Sequence, residues 1–160
     1  MDVKINTDNL SFKYRVNSII IQDGKVLLLD MNKNGFLCLP GGHVHIGEDT
    51  REAVIRETKE ETGIKSKTQK LVAVIENFFT RRDGKKCHEL SFYYKLDNLT
   101  IPGQRNRDFH YIEHDEDKLV DLDFKWIPLD EVEKHDVRPL ALKKILMDKK
   151  WDFTHTLVKE

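Results

Sequence analysis

The chain has 160 residues and a mass of 18.8 kDa, with 39% apolar and 34% charged residues. That length suits one compact domain over residues 1–160, and no apolar run approaches the ~20 residues of a membrane helix. Lysine and arginine number 27 against 28 aspartate and glutamate, a net charge of −1, which excludes the broad basic surface that duplex DNA or an anionic membrane selects. The first ten residues lack the apolar stretch of a secretory signal, and Cys38 and Cys87 are too few for a disulfide framework. The chain therefore reads as cytoplasmic, with reduced thiols.

Residues 12–22 and 25–30 are rich in valine, isoleucine and leucine and are joined by Asp23-Gly24. Asp-Gly between apolar runs predicts a hairpin, because glycine tolerates the positive φ that a type I′ turn demands. The same signal recurs at Asp83-Gly84, between residues 71–82 and 85–96, and predicts a long antiparallel pair. Between the two lies a predicted helix over 49–62, capped by Asp49 or Thr50 and ended by Gly63 in the left-handed conformation. Val54, Ile55, Thr58 and Thr62 share one arc of its wheel, the expected core face. Residues 97–123 are polar and charged, far longer than the about 4–6 residues of a typical connection, and read as a functional lid or excursion. A short strand over 124–127, a small helix from Pro128 to about Lys134, and a last helix over about 137–148 follow, the last apolar at Leu140, Leu142, Ile145 and Leu146. Strands interspersed with helices, without internal repeats, predict an α+β fold.

The sharpest feature is residues 42–64, GHVHIGEDTREAVIRETKEETGI. Glu57, Glu60 and Glu61 stand at i, i+3 and i+4, which places three carboxylates on one helical face. Each like-charge pair costs an isolated helix about 0.2–0.5 kcal/mol, so a cation among them would justify the arrangement. Carboxylate oxygens without an obligatory cysteine or histidine suit a hard ion, Mg²⁺ first and Mn²⁺ next. A glutamate-rich helix face is ordinarily a solvated one. The joint spacing of Gly42, Glu48, Arg56, Glu57, Glu60, Glu61 and Gly63 is too specific for that account.

This spacing resembles the Nudix box, G-x5-E-x7-R-E-U-x-E-E-x-G-U, where U is a bulky aliphatic residue. The flanking Leu39-Pro40-Gly41-Gly42 and the later Trp126-Ile127-Pro128-Leu129-Asp130-Glu131 are similar to the same family. One position departs: the first U is Thr58, whose hydroxyl can bond the carbonyl one turn back. The resemblance implies an α/β/α sandwich with a mixed central sheet, and a Mg²⁺-dependent pyrophosphohydrolase of nucleoside diphosphate derivatives. It implies Glu57, Glu60 and Glu61 as metal ligands, completed by backbone carbonyl near Gly41 and Gly42. Arg56 and Glu48 are implied as the pair that holds the preceding loop against the helix. Members of the family often pair as homodimers, and nothing in the sequence marks an interface.

A general base outside the box would come from Asp108, Glu113, Asp115, Glu116 or Asp117, or from Glu89 on the strand 88–94. Gly41, His43 and Glu89 are candidate substrate contacts, His43 as a phosphate hydrogen-bonder at the rim. The pair His43 and His45 lacks the third ligand that a zinc site needs. Aromatic residues among Phe78, Phe79, Phe92, Tyr93, Tyr94 and Trp126 read as core before base-stacking, and Arg81, Arg82, Lys85 and Lys86 as a solvated hairpin tip. No proline lies between Pro40 and Pro102, whereas ADP-ribose members of the family usually carry one soon after the box. A nucleoside triphosphate is therefore favoured slightly over a nucleotide sugar or dinucleoside polyphosphate. The alternatives are a nucleotide-sensing module without turnover, and an RNA-end pyrophosphohydrolase using the basic tip.

Overall fold

A computed structural model describes residues 1–115 and 118–160. In chain order the strands are β1 Lys4–Asn6, β2 Leu10–Gln22, β3 Lys25–Met31, β4 Gly41–His43, β5 Lys65–Thr80, β6 Lys86–Thr100, β7 Phe109–Asp115, β8 Lys118–Pro128 and β9 Thr154–Lys159. The helices are α1 Thr50–Thr62 and α2 Leu140–Asp148, with 3₁₀ turns at Gly103–Arg105 and Leu129–Lys134. Among the described residues these strands join one mixed sheet in the order β7-β8-β3-β2-β6-β5-β9, with β1 and β4 also paired to β2.

Strand β2 is the hub. One edge pairs in parallel with β6 from Leu10 to Ile20. Its other edge serves three partners in turn: β1 at Ser11 to Lys13, β4 at Arg15 to Asn17, and β3 at Ile21 and Gln22. Strand alternation then sends side chains to two different layers. Val16, Ile20, Leu27 and Leu29 pack with Ala53, Val54 and Ile64 on the α1 side. Ile19, Val26 and Leu28 pack with Val132, Leu142 and Leu146 on the α2 side. Leu142 and Leu146 are fully buried, each contributing about 1.5–3 kcal/mol. The helix–sheet–helix sandwich that the resemblance implied is thus built from two apolar faces of one mixed sheet.

Both Asp-Gly hairpins form, with different turns. Asp23 and Gly24 have φ of 50° and 73°, as the two central residues of a type I′ turn require. At the second turn only Gly84 has positive φ, and its N–H donates to Arg81 O, so Arg82, Asp83 and Gly84 form a wider loop. The largest correction concerns residues 97–123. The described residues there are not an irregular connection: β6 continues to Thr100, and β7 and β8 pair antiparallel, the second strand taking in the predicted 124–127 segment. Charges hid it, because Asp121, Asp123 and Lys125 alternate with Leu122, Phe124 and Trp126, and only the second set faces the α1-side core. A charged outer strand also protects the sheet edge that β7 forms. The final helix begins at Leu140 behind Pro139, and β9, which the sequence did not signal, adds in parallel to β5. No helix among the described residues is long and apolar enough to cross a membrane.

Candidate active site

Helix α1 is set at both ends by local chemistry. The Asp49 carboxylate accepts the N–H groups of Arg51 and Glu52 at 2.8 and 3.1 Å, and Gly63 closes the helix at φ 72° with its N–H on Lys59 O. Thr58 donates its hydroxyl to Val54 O at 2.6 Å, the bond expected of its departure from the box. The buried face holds Ala53, Val54, Thr58 and Thr62 together with two carboxylates, Glu57 and Glu61, while Ile55 is only half buried. Burial thus sorts the glutamates. Glu57 and Glu61 are 9% and 5% exposed, whereas the Glu60 side chain is 60% exposed.

Arg56 ties the preceding loop to this helix. Its Nε and Nη2 donate to the two oxygens of Glu48 at 2.7 and 2.8 Å, a bidentate fork, and Nη2 also donates to His43 O at 3.0 Å. Nη1 reaches Glu57 at 2.7 Å and Glu60 at 3.2 Å. The Arg56 hydrogen bonds hold Glu48 down to about 2. Glu48 also accepts the His45 N–H at 3.0 Å. These contacts fix the loop geometry that leads from β4 into α1.

The two buried carboxylates lie against the Gly41-Gly42 backbone. Gly41 N–H donates to Glu61 Oε2 at 3.0 Å. A Cβ on Gly42 would stand 2.6 Å from Glu57 Oε1 and closer still to the rest of that carboxylate, so only glycine admits Glu57 here. Burial pushes Glu61 up to about 8, helped by the charges of Glu113 and Glu57. Burial likewise raises Glu57, with Arg56 opposing. Two desolvated carboxylates side by side are oxygen donors, which suit a hard divalent ion and would be relieved by one. Glu60 and Gly42 flank that set. The ligand atoms of Glu57, Glu60 and Glu61 are not drawn into one tight cluster: among the described residues the group whose atoms all lie within 4.8 Å is His110, Asp121 and Asp123, on the β7–β8 hairpin. There the His110 ring sits between Asp121 and Asp123, at 3.0 and 2.7 Å.

The structure also separates the other candidates. Among the described acids of the 97–123 stretch, Glu113 on β7 has a charge that acts on Glu61, while Asp108 accepts the Trp126 N–H and Asp115 closes β7. Glu116 and Asp117 lie outside the described residues. Glu89 on β6 accepts the Ser91 hydroxyl at 3.0 Å and lies 3.6 Å from Arg15 Nη1. His43 and His45 both approach Asp2, at 3.6 and 3.3 Å, and burial with the Arg15 charge lowers His43 to about 4. Tyr93 and Tyr94 are buried, and the hairpin tip is exposed with Arg81 paired to Asp83 at 3.0 Å.

Sequence reasoning missed Arg15. Its Nη2 donates to Gly41 O at 3.0 Å, so the residue Gly41 is held by Arg15 at its carbonyl and by Glu61 at its N–H. No local signal singled it out, since both faces of β2 carry core residues, Ile19 on one and Val16 and Ile20 on the other.

The NUDIX domain family matches residues 12–148. An ADP-ribose pyrophosphatase of Methanocaldococcus jannaschii is 41% identical over 85 residues, 51% of this chain and 48% of that protein. The uncharacterized Nudix hydrolase YvcI of Bacillus subtilis is 45% identical over 56 residues, 34% of this chain and 35% of that one. The chain thus spans half or less of the length of these curated relatives. Among solved structures, a mutator MutT protein from Bacillus halodurans superposes with a TM-score of 0.68 at 22% identity, covering 91% of this chain and 89% of that one, a likeness of fold. With the family match spanning nearly all of the sheet, both core layers and the glutamate helix, the chain belongs to the NUDIX domain family.

Proposed function

We propose that the chain is a divalent-cation-dependent hydrolase that cleaves the diphosphate bond of a nucleoside diphosphate linked to a second moiety. The observation that carries this reading is the burial of Glu57 and Glu61 side by side over Gly41-Gly42, each raised by desolvation and without a paired cation for Glu61 at hydrogen-bond distance among the described residues. Glu57 and Glu61, with Glu60 at the margin and carbonyl oxygen near Gly41 and Gly42, would hold Mg²⁺, for which Mn²⁺ could substitute. Bound there, the ion would neutralise the diphosphate oxygens and acidify the attacking water. Glu113 is the base in this reading, supported by its charge acting on Glu61 from β7. Arg56 and Glu48 keep the glycine loop and Glu57 in place.

The relative named an ADP-ribose pyrophosphatase makes ADP-ribose the first substrate to test, and the missing proline after the box keeps nucleoside triphosphates beside it. Cytoplasmic placement and pairing as a homodimer belong to the same proposal. The test is incubation with Mg²⁺ and ADP-ribose, a nucleotide sugar, a dinucleoside polyphosphate or nucleoside triphosphates, scored for released products. Cleavage of one of them, lost in Glu61→Gln, is expected. Binding across the panel without any cleavage would turn the reading to a nucleotide-sensing module.

A further inference from the structure

Strand register at the β7 end of the sheet places four ligand-type side chains on one face of three neighbouring strands. His110 on β7 stands opposite Asp123 on β8, Asp123 stands opposite Asp30 on β3, and Asp121 lies two residues along β8. Leu122 and Phe124 pack into the α1-side core, so the aspartates that alternate with them turn to the other face. On that face Val26, Leu28 and Ile127 belong to the α2-side layer, and Asp30, the next residue of β3 in step, lies outside it. Helix α1 and its glutamates pack against the opposite side of the sheet.

Like charges directly opposite one another destabilise a sheet, so this row calls for a cation. His110 does not supply enough. Its Nδ1 lies 2.7 Å from Asp123 Oδ1 in hydrogen-bond geometry, and its Nε2 lies 3.0 Å from Asp121 Oδ1. A neutral ring that donates from Nδ1 turns a lone pair towards Asp121, one acceptor facing another. Asp121 Oδ1 is shut off from solvent and has no hydrogen-bond partner among the described residues. On a separate strand, Asp30 Oδ1 is in the same state. Protonating the ring would answer Asp121 and leave Asp30, because an imidazolium has two N–H groups and both are taken. Lys125, next along this face of β8, is exposed and makes no ion pair among the described residues. A divalent ion answers both oxygens. The ligand atoms of His110, Asp121 and Asp123 already lie within 4.8 Å of one another, and their side chains are 47%, 41% and 33% exposed, which leaves room for water in the shell. An imidazole nitrogen among carboxylate oxygens suits Zn²⁺ better than Mg²⁺.

We propose that His110, Asp121 and Asp123, with Asp30 beside them, form a second metal site that takes Zn²⁺ and ties the outer strand β7 to β8 and β3. It is separate from the glutamate helix and needs nothing from the hydrolase reading. Strand β7 also carries Glu113, so the ion would fix the strand that brings Glu113 to the glutamates. Zn²⁺ alone is the probe, titrated calorimetrically into the full chain. His110→Ala and Asp123→Asn should each weaken its binding at least about tenfold, with thermal unfolding of the metal-free variants confirming that they are folded. Glu61→Gln should keep this binding, as should His114→Ala, which removes an exposed histidine from the same strand. Zn²⁺ should also slow amide hydrogen exchange along β7 in the parent and leave it unchanged in Asp123→Asn. Parent-like affinity in folded His110→Ala and Asp123→Asn, or a loss confined to Glu61→Gln, overturns the site. Absence of Zn²⁺ binding by the parent overturns it too and leaves His110 as a bridge between two aspartates. Bound Zn²⁺ that does not slow exchange in β7 overturns the tie between the strands.

Discussion

Adding one methyl group to either of two neighbouring glycines should have opposite consequences. At Gly42 the new Cβ meets the Glu57 carboxylate, 2.6 Å from Oε1, well inside the about 3.5 Å of a relaxed contact, so the carboxylate must retreat by about 1 Å. A glutamate side chain can rotate away. It gives up the 2.7 Å bond from Arg56 and regains water, a net cost to folding of about 1 kcal/mol. The chemistry cannot tolerate the same retreat, since about 1 Å of misplacement costs on the order of 10²-fold in rate. At Gly41 the obstacles are backbone: Asn17 Cα at 2.8 Å and, nearer, Val16 O, both within the β2–β4 pairing. They cannot rotate away, and Gly41→Ala should cost about 3 kcal/mol or more. Urea unfolding followed by tryptophan fluorescence gives the stabilities, and kcat/KM with Mg²⁺ gives the catalytic loss. Gly42→Ala with kcat/KM within tenfold of the parent, or equal stability losses in the two variants, would refute the assignment of Gly42 to the carboxylate and Gly41 to the strand.

Glu61→Gln should lower turnover by at least about 10²-fold while leaving the fold intact. Because Glu61 is raised to about 8 in the folded chain, its ionisation opposes folding. Metal-free stability should be fully present below the ordinary carboxylate range and fall as pH rises towards 8, a decline that the Gln variant should lack in urea titrations at pH 5 and 8. By the same linkage Mg²⁺ must displace a proton from Glu61, so apparent affinity should rise from pH 6 to 8 with proton release, measured by calorimetry in buffers of different ionisation enthalpy; a pH-independent affinity would contradict it. Arg56→Lys cannot reproduce the fork on Glu48 and should destabilise by about 2–3 kcal/mol. Glu48 is depressed to about 2, so its contribution is present above the ordinary carboxylate range and is lost as pH falls through 2; acid unfolding of Arg56→Lys should therefore show a shallower dependence over that window.

Much of this protein is local chemistry written along the chain. Asp49 and Gly63 bound α1, Asp23-Gly24 makes its I′ turn, and Glu48, Arg56, Glu57 and Glu61 sit at spacings that meet only across a loop and a helix. Such features depend on residues a few positions apart, and a sequence displays them directly. The spacing placed Glu60 with its neighbours but could not show that Glu57 and Glu61 turn inward while Glu60 remains in water. That division depends on which arc of the helix the sheet covers. The β7–β8 pair was masked because Asp121, Asp123 and Lys125 alternate along β8 on the side away from the α1 core, and β9 because a short polar strand gains its pairing only from the open edge of β5. Arg15 marks the boundary most clearly: a cation in a strand is ambiguous until long-range pairing decides which face it occupies. Only the β2–β4 register brings it to Gly41, whose carbonyl it binds while the N–H of the same residue binds Glu61, 46 positions away in the chain.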